Sequence, residues 1–350
     1  MFVVIRPHFA LKNQSRSVNL SRTWKRNYLR LHCDAGDDSG VGLDSPATPL
    51  TIETQPGSST STVRALVETL RPQQWVKNGF IFAALIFSQS LTRWDRCRQV
   101  LLAAVVFCLV SSATYVLNDI FDASEDRHHP TKKLRPIASG RVSAATAGTM
   151  GAIFCATGLI AAWRLNTNFL GIVVAYLAIN ILYSTFLKRI ALLDVFIVAS
   201  GFLLRVIAGG VVIRVAISPW LIVCTTLLAL FIALSKRRHE LVLLGRRASD
   251  HRAILKDYSP YFLDQLISIV TASTVVTYAL YTLSPDVQSK FPGKRLELTI
   301  PFVLFGIFRY LHLIHNSDHG GNPTRSLFTD PVLLSVVLFW AASVILIIYL

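Results

Sequence analysis

From about residue 76 onward, the chain is a succession of continuously apolar runs, most of them close to 20 residues long, separated by short charged loops. A helix needs about 20 apolar residues to cross the hydrocarbon core of a bilayer. Inside that core every backbone N–H and C=O must find an internal partner, so only helices and closed barrels span it. A barrel demands strict alternation of apolar and polar residues, which these runs lack. The expected fold class is therefore all-α, a polytopic membrane helical bundle. Nine candidate spans can be drawn, at 78–92, 98–117, 142–163, 168–186, 190–213, 218–235, 261–283, 298–315 and 330–350. The first is short, which suggests a tilted or partly interfacial segment.

Composition supports this reading. Only 16% of the 350 residues are charged and 52% are hydrophobic, whereas soluble domains carry about 25% charged residues. That excludes an ordinary soluble domain and a wholly disordered chain. The net charge of +15 would suggest nucleic acid in a soluble protein. Here the basic residues crowd into loops, where they suit anionic lipid or phosphorylated substrates, and no nucleic-acid partner is expected. The five cysteines form no CxxC pair and read as reduced packing residues.

Residues 1–62 differ from the rest. The first 33 hold seven Lys/Arg and no acid, and a Ser/Thr-rich stretch follows. This segment reads as a disordered, mis-started or transit-type tail, leaving 63–350 as the membrane domain. Lys and Arg concentrate before span 1 and after spans 2, 4 and 6. The positive-inside rule puts those loops in the cytoplasm, as expected for an integral protein of the cytoplasmic (plasma) membrane. Most of the polar chemistry lies on the same side.

The sharpest motif closes span 2: Asn118-Asp-Ile-Phe-Asp122-Ala-Ser-Glu-Asp126. On a continuing helix, positions i, i+4 and i+8 share a face, which aligns Asn118, Asp122 and Asp126. Three oxygen donors in a row suit a hard cation such as Mg²⁺, and carboxylates abutting a membrane span are usually functional. Arg127, Lys132, Lys133 and Arg135 follow at once. Acid then base is what a metal–diphosphate requires: carboxylates for the metal, cations for the remaining phosphate charge. A second basic cluster, Lys236-Arg237-Arg238-His239-Glu240, leaves span 6. A third patch, Arg71-Pro-Gln-Gln-Trp75-Val-Lys77-Asn78, enters span 1. Tyr183, Lys188, Asp194 and Arg205 frame the span 4–5 turn, where Asp194 and Arg205 should face the bundle interior or each other. Asp264 and Arg309 are later intramembrane charges, read as structural.

The spaced Asn118, Asp122 and Asp126 resemble the first aspartate motif of the UbiA superfamily of intramembrane prenyltransferases. Over residues 65–350, the stretches RPQQWVKN, NDIFDASEDRHHPTKKLRPIASG, LLDVFIVASGFLLRVIAGG and SKRRHELVLLG are most similar to its decaprenyl-phosphate phosphoribosyltransferase branch. Aromatic-acceptor members carry a second aspartate motif after the sixth span; here that place reads SKRRHEL. The resemblance implies a bundle of about nine helices around a cavity and Mg²⁺-dependent transfer of 5-phosphoribose from phosphoribosyl diphosphate to a polyprenyl phosphate. The product in that branch is a cell-wall precursor. The alternative is prenyl transfer to an aromatic acceptor such as 4-hydroxybenzoate.

On that reading Asn118, Asp122 and Asp126 hold Mg²⁺, and Lys132, Lys133 and Arg135 neutralise the leaving group. Lys77 and Asn78 position the sugar or its 5-phosphate, and Lys236, Arg237 and Arg238 meet the lipid phosphate. Asp194 stabilises the sugar cation or orients a ribose hydroxyl. Arg127, Tyr183, Lys188 and Glu240 complete the expected substrate-binding set. The partners are the two substrates and the lipid bilayer, with room left for a homo-oligomer.

Overall fold

Proline and small polar caps set where several of the long helices begin. Pro260, Pro285 and Pro331 each open a helix, where the missing N–H costs nothing. Ser259, Ser284 and Asp330 precede them and accept from the backbone N–H of Phe262, Val287 and Leu333. Ser143 and Asn166 cap their helices in the same way. The structure, a computed structural model, describes residues 59–129, 131–244, 253–316, 327 and 329–350.

The helices run α1 (Ser59–Thr69), α2 (Ala83–Phe87), α3 (Trp94–Phe121), α4 (Ala123–His128), α5 (Ala144–Leu165), α6 (Thr167–Thr185), α7 (Leu193–Val212), α8 (Pro219–Leu244), α9 (Pro260–Leu283), α10 (Pro285–Lys290), α11 (Ile300–Asn316) and α12 (Pro331–Tyr349). Short 3₁₀ turns join some of them. Eight segments among the described residues are long and apolar enough to cross a membrane, and they match the last eight expected spans. Residues 1–58, most of the expected tail, lie outside the described residues. Residues 59–62, also assigned to the tail, form the start of α1.

The first expected span is not a regular α-helix. It is an 11-residue 3₁₀ segment, Pro72–Phe82, followed by the five residues of α2. It nevertheless traverses the bundle. Arg71, just before it, pairs with Asp119 at one end of α3, while Leu91, just after α2, accepts from Cys97 Sγ at the other end, 3.2 Å away. A 3₁₀ helix rises about 2.0 Å per residue and an α-helix 1.5 Å, so 11 and five residues cover roughly 30 Å. Tighter winding lets 16 residues do the work of 20. Broken backbone at membrane depth is tolerated only where protein buries it, and Ile81 is fully buried against α7. A Cβ at Gly209 of α7 would stand 2.0 Å from the Ile81 carbonyl oxygen, so only glycine admits this approach.

Two large apolar cores follow. One joins the broken span to α3, α6 and α7 around Phe107, Phe169 and Val173. The other joins α7, α8, α9 and α11 around Phe231, Leu263 and Ile307. Gly158 of α5 sits against α3, where an added Cβ would come within 2.6 Å of Val110; small residues bring membrane helices together in this way. The outer faces carry exposed Leu101, Val105, Ile153, Ile160, Phe305, Phe308, Leu338 and Phe339, a surface suited to lipid rather than water.

Candidate active site

The aspartate motif straddles the α3–α4 junction. Helical hydrogen bonds run through it, from Asp122 N to Asn118 O (2.9 Å) and from Asp126 N to Asp122 O (2.8 Å), so the i, i+4, i+8 alignment holds in the backbone. Asn118 Nδ2 donates to Asp122 Oδ2 at 2.9 Å, and Asn118 Oδ1 accepts from Ser184 of α6 at 3.2 Å. Lys188, in the turn after α6, reaches Asp122 Oδ1 at 2.6 Å.

The other face of the motif holds Asp119, a residue the sequence reading passed over. Asp119 is 3% exposed. It receives Arg71 and Arg135, and Arg135 also binds Asp126. Asp119, Asp122 and Asp126 are spaced i, i+3, i+7, the other helical stripe; counting only in fours missed it. Asp119, Asp122 and Asp126 thus face Arg71, Arg135 and Lys188, a cluster whose formal charges balance. Burial pulls the Arg71 guanidinium below its ordinary value; Asp119 opposes this and Arg135 adds to it. Arg71 also lies 5.4 Å from the centre of the Tyr115 ring.

A second network ties α6, α7 and α8 together. Asp194 is fully buried, with Oδ2 2.6 Å from Arg237 Nε. Arg237 also binds Glu240 at 2.6 Å and donates to the Tyr183 hydroxyl at 3.3 Å. The Tyr258 hydroxyl donates to Asp194 Oδ1 at 2.8 Å and accepts from Leu192 N at 2.7 Å. Burial, together with the Asp194 carboxylate, pushes the Tyr258 hydroxyl up to about 12. Tyr183 and Ser184 are neighbours on α6, so this network adjoins the aspartate cluster.

Asp194 and Arg205 do not pair, although the sequence allowed it; Arg237 takes the carboxylate instead. The basic run on α8 also diverges, because successive helical residues point about 100° apart. Arg237 turns inward, Arg238 pairs with Asp264, and Lys236 is exposed beside Glu240 at 3.9 Å. Arg309 pairs with Asp330 at 2.7 Å, so Asp264 and Arg309 both hold structural ion pairs. Arg127 and Lys133 are exposed and Lys132 is half-buried.

Lys77 and Asn78 lie in the 3₁₀ segment. Asn78 is buried, accepting from Arg205 Nε at 2.7 Å and donating to Cys108 Sγ at 3.2 Å. Lys77, just before it, is half-buried.

Asn118, Asp122 and Asp126 supply only hard oxygen donors, on successive turns. Among the described residues no group of three or more His, Cys, Asp or Glu is placed to hold a metal ion by itself. Two carboxylates and an amide are an incomplete shell, of the kind Mg²⁺ completes with waters and substrate phosphate oxygens.

The model of the UbiA prenyltransferase family matches residues 79–329. The decaprenyl-phosphate phosphoribosyltransferase of Mycolicibacterium smegmatis is 33% identical over 311 residues, covering 85% of this chain and 97% of that protein. Its namesake in Mycobacterium tuberculosis is 34% identical over 298 residues, covering 84% and 96%. A UbiA homolog from Archaeoglobus fulgidus, solved bound to GPP and Mg²⁺, shares the fold at a TM-score of 0.61 and 16% identity, over 82% of this chain and all of that one. With its aspartate motif at the end of a membrane-spanning helix and a matching architecture, the chain belongs to the UbiA prenyltransferase family.

Proposed function

We propose that this membrane enzyme transfers 5-phosphoribose from phosphoribosyl diphosphate to a polyprenyl phosphate, releasing diphosphate. The observation that carries the reading is the likeness to decaprenyl-phosphate phosphoribosyltransferases across nearly their whole length. The character of α8 supports it. Its only acid is Glu240, clamped by Arg237, so this helix offers no free carboxylate pair for a second metal-bound diphosphate.

The aspartate cluster is the donor end. Asn118, Asp122 and Asp126 would hold Mg²⁺, which when bound supplies positive charge to the donor's diphosphate. Arg71, Arg135 and Lys188 lie beside the cluster's carboxylates, where their charge can also serve the phosphate oxygens of the donor. An oxygen of the lipid phosphate attacks the anomeric carbon as the bond to diphosphate breaks. The nucleophile is already anionic, so no strong base is needed. Positioning and charge stabilisation of an oxocarbenium-like transition state supply the rate. Asp194, locked to Arg237 and Tyr258, acts as a positioning residue that fixes the α6–α7–α8 side of the site.

The test is a product assay on membranes containing this chain, with Mg²⁺, labelled phosphoribosyl diphosphate and a polyprenyl phosphate. Label in the lipid phase that depends on Mg²⁺ is expected. A parallel reaction offers a prenyl diphosphate and 4-hydroxybenzoate. Product only there would overturn phosphoribosyl transfer in favour of aromatic prenylation.

A further inference from the structure

Leu192 opens α7 in a backbone conformation that its side chain disfavours. Its φ is 65° and its ψ is −42°, a region bulky residues rarely enter. Leu193 N donates to the Ala191 carbonyl at 2.8 Å, which closes a three-residue γ-turn of the rare, strained hand. Leucine also brings no oxygen to cap a helix, and α7 has no side-chain cap at this end. Strain of this kind persists only where neighbouring structure holds it.

One hydroxyl holds it. Tyr258 Oη accepts from Leu192 N at 2.7 Å and donates to Asp194 Oδ1 at 2.8 Å. A phenol can donate and accept at once, so Tyr258 clasps the turn and the carboxylate just beyond it. Tyr258 is itself firmly set. It is buried, stacks on Phe262 with ring centres 6.5 Å apart, and immediately precedes Ser259, the cap of α9. Ile254 and Leu255, shortly before it, are buried in the same core as Val195 and Ala199 of α7.

The clasped turn joins the two networks of the site. Lys188, four residues before Leu192, has its Nζ 2.6 Å from Asp122 Oδ1. Asp194, two residues after it, takes Arg237 Nε at 2.6 Å. The backbone between them is bonded throughout: Ile190 N donates to Leu187 O and Asp194 N to Ile190 O, each at 3.2 Å. A change of φ at Leu192 would therefore swing Lys188 relative to α7 and away from Asp122.

We propose that Tyr258 is a positioning residue of the donor end: by clasping the Leu192 turn, it sets Lys188 against Asp122. The inference rests on the reading of the aspartate cluster as the site of the donor's diphosphate. Tyr258 touches no substrate on this view and acts through Lys188.

The experiment uses the purified full chain in detergent, with Tyr258→Phe, Leu192→Gly, the two combined, and Tyr278→Phe. Inorganic diphosphate with Mg²⁺ is the binding probe, and turnover is measured with phosphoribosyl diphosphate and farnesyl phosphate. Phenylalanine keeps the ring and its stacking and removes only the hydroxyl. Glycine adopts positive φ without steric cost, so it lets the turn keep its shape unaided. Tyr258→Phe should bind diphosphate about tenfold more weakly and lose about tenfold to 100-fold in turnover. Leu192→Gly alone should stay close to wild type, and the double variant should recover most of the loss. Tyr278 carries a buried hydroxyl bonded to Thr299 and Trp340 at 2.6 and 2.9 Å in a separate core. Tyr278→Phe should melt at a lower temperature yet bind and turn over as wild type does. Unchanged binding and turnover in Tyr258→Phe, a loss that glycine does not recover, or an equal loss in Tyr278→Phe would each overturn the positioning role. If Tyr258→Phe does not fold, the double variant is compared with Leu192→Gly: equal diphosphate affinity supports the role and a weaker one overturns it. A wild type that binds diphosphate with Mg²⁺ but transfers no phosphoribose would sink the phosphoribosyl-transfer reading instead, and the binding series would still decide the role of Tyr258. A wild type that binds no diphosphate would overturn both.

Discussion

Side-chain charge is matched so closely at the donor end that single substitutions there should act on chemistry more than on folding. Asp122 is half-buried and shared between Asn118 and Lys188. Asp122→Asn keeps the shape and removes one anionic donor, so turnover should fall by roughly 100-fold or more, with the Mg²⁺ dependence of the residual rate moved to higher concentration. A Mg²⁺ titration of the product assay checks both. Of these residues, Asp122, Asp126, Lys77 and Asn78 were legible in the sequence because they stand in compact motifs. Asp119, Arg71 and Arg205 belong to the same stretches but gain meaning only from partners 16 to 127 positions away, which no local spacing reveals.

Among the elements, the broken first span and α8 show where helical pattern reading stops. The last eight spans were legible because length, apolar content and capping residues all agreed. The first disagreed with them through its shortness, and 3₁₀ winding explains how it still crosses. That winding depends on the α7 contact. Gly209→Ala would drive a methyl into the Ile81 carbonyl, a backbone atom that cannot swing aside, so it should destabilise the protein and shift Asn78 and Lys77 with it. A lowered melting temperature is the expected result; wild-type behaviour would show that the segment can move away freely. On α8, three consecutive basic residues looked like one patch, yet Arg237 turns inward to Asp194, Arg238 pairs with Asp264, and Lys236 stays exposed beside Glu240. Arg237→Ala leaves the buried Asp194 without its cation, a loss of about 3–5 kcal/mol for a pair of this kind. It should appear first as a lower melting temperature. Asp194→Asn combined with Arg237→Gln, which removes both charges, should recover part of it.

Across the whole molecule, the contacts at helix ends fix an alternating path. Arg71, Asp119, Ser184, Asp194, Arg237, Asp264 and His315 meet at one end of the bundle. Leu91, Cys97 and Tyr349 meet at the other. The broken span and eight long helices make an odd number of crossings, so the start of the first and the end of α12 lie on opposite faces. The aspartate cluster, the Asp194–Arg237 network and the basic loop at 131–141 share one face, and from the excess of Lys and Arg in its loops we propose that this face is cytoplasmic. Water-soluble phosphoribosyl diphosphate would then reach the aspartates without crossing the bilayer, while the lipid acceptor approaches from the side. This orientation is testable with single cysteines in a cysteine-free background: Ser139 lies exposed beside the basic loop, and Ser289 lies exposed at the far end. In right-side-out vesicles a membrane-impermeant thiol reagent should label Ser289→Cys at once and Ser139→Cys only after the membrane is opened. The reverse pattern would turn the molecule over and place the donor site on the side where phosphoribosyl diphosphate is not made, and the proposed reaction would fall with the orientation.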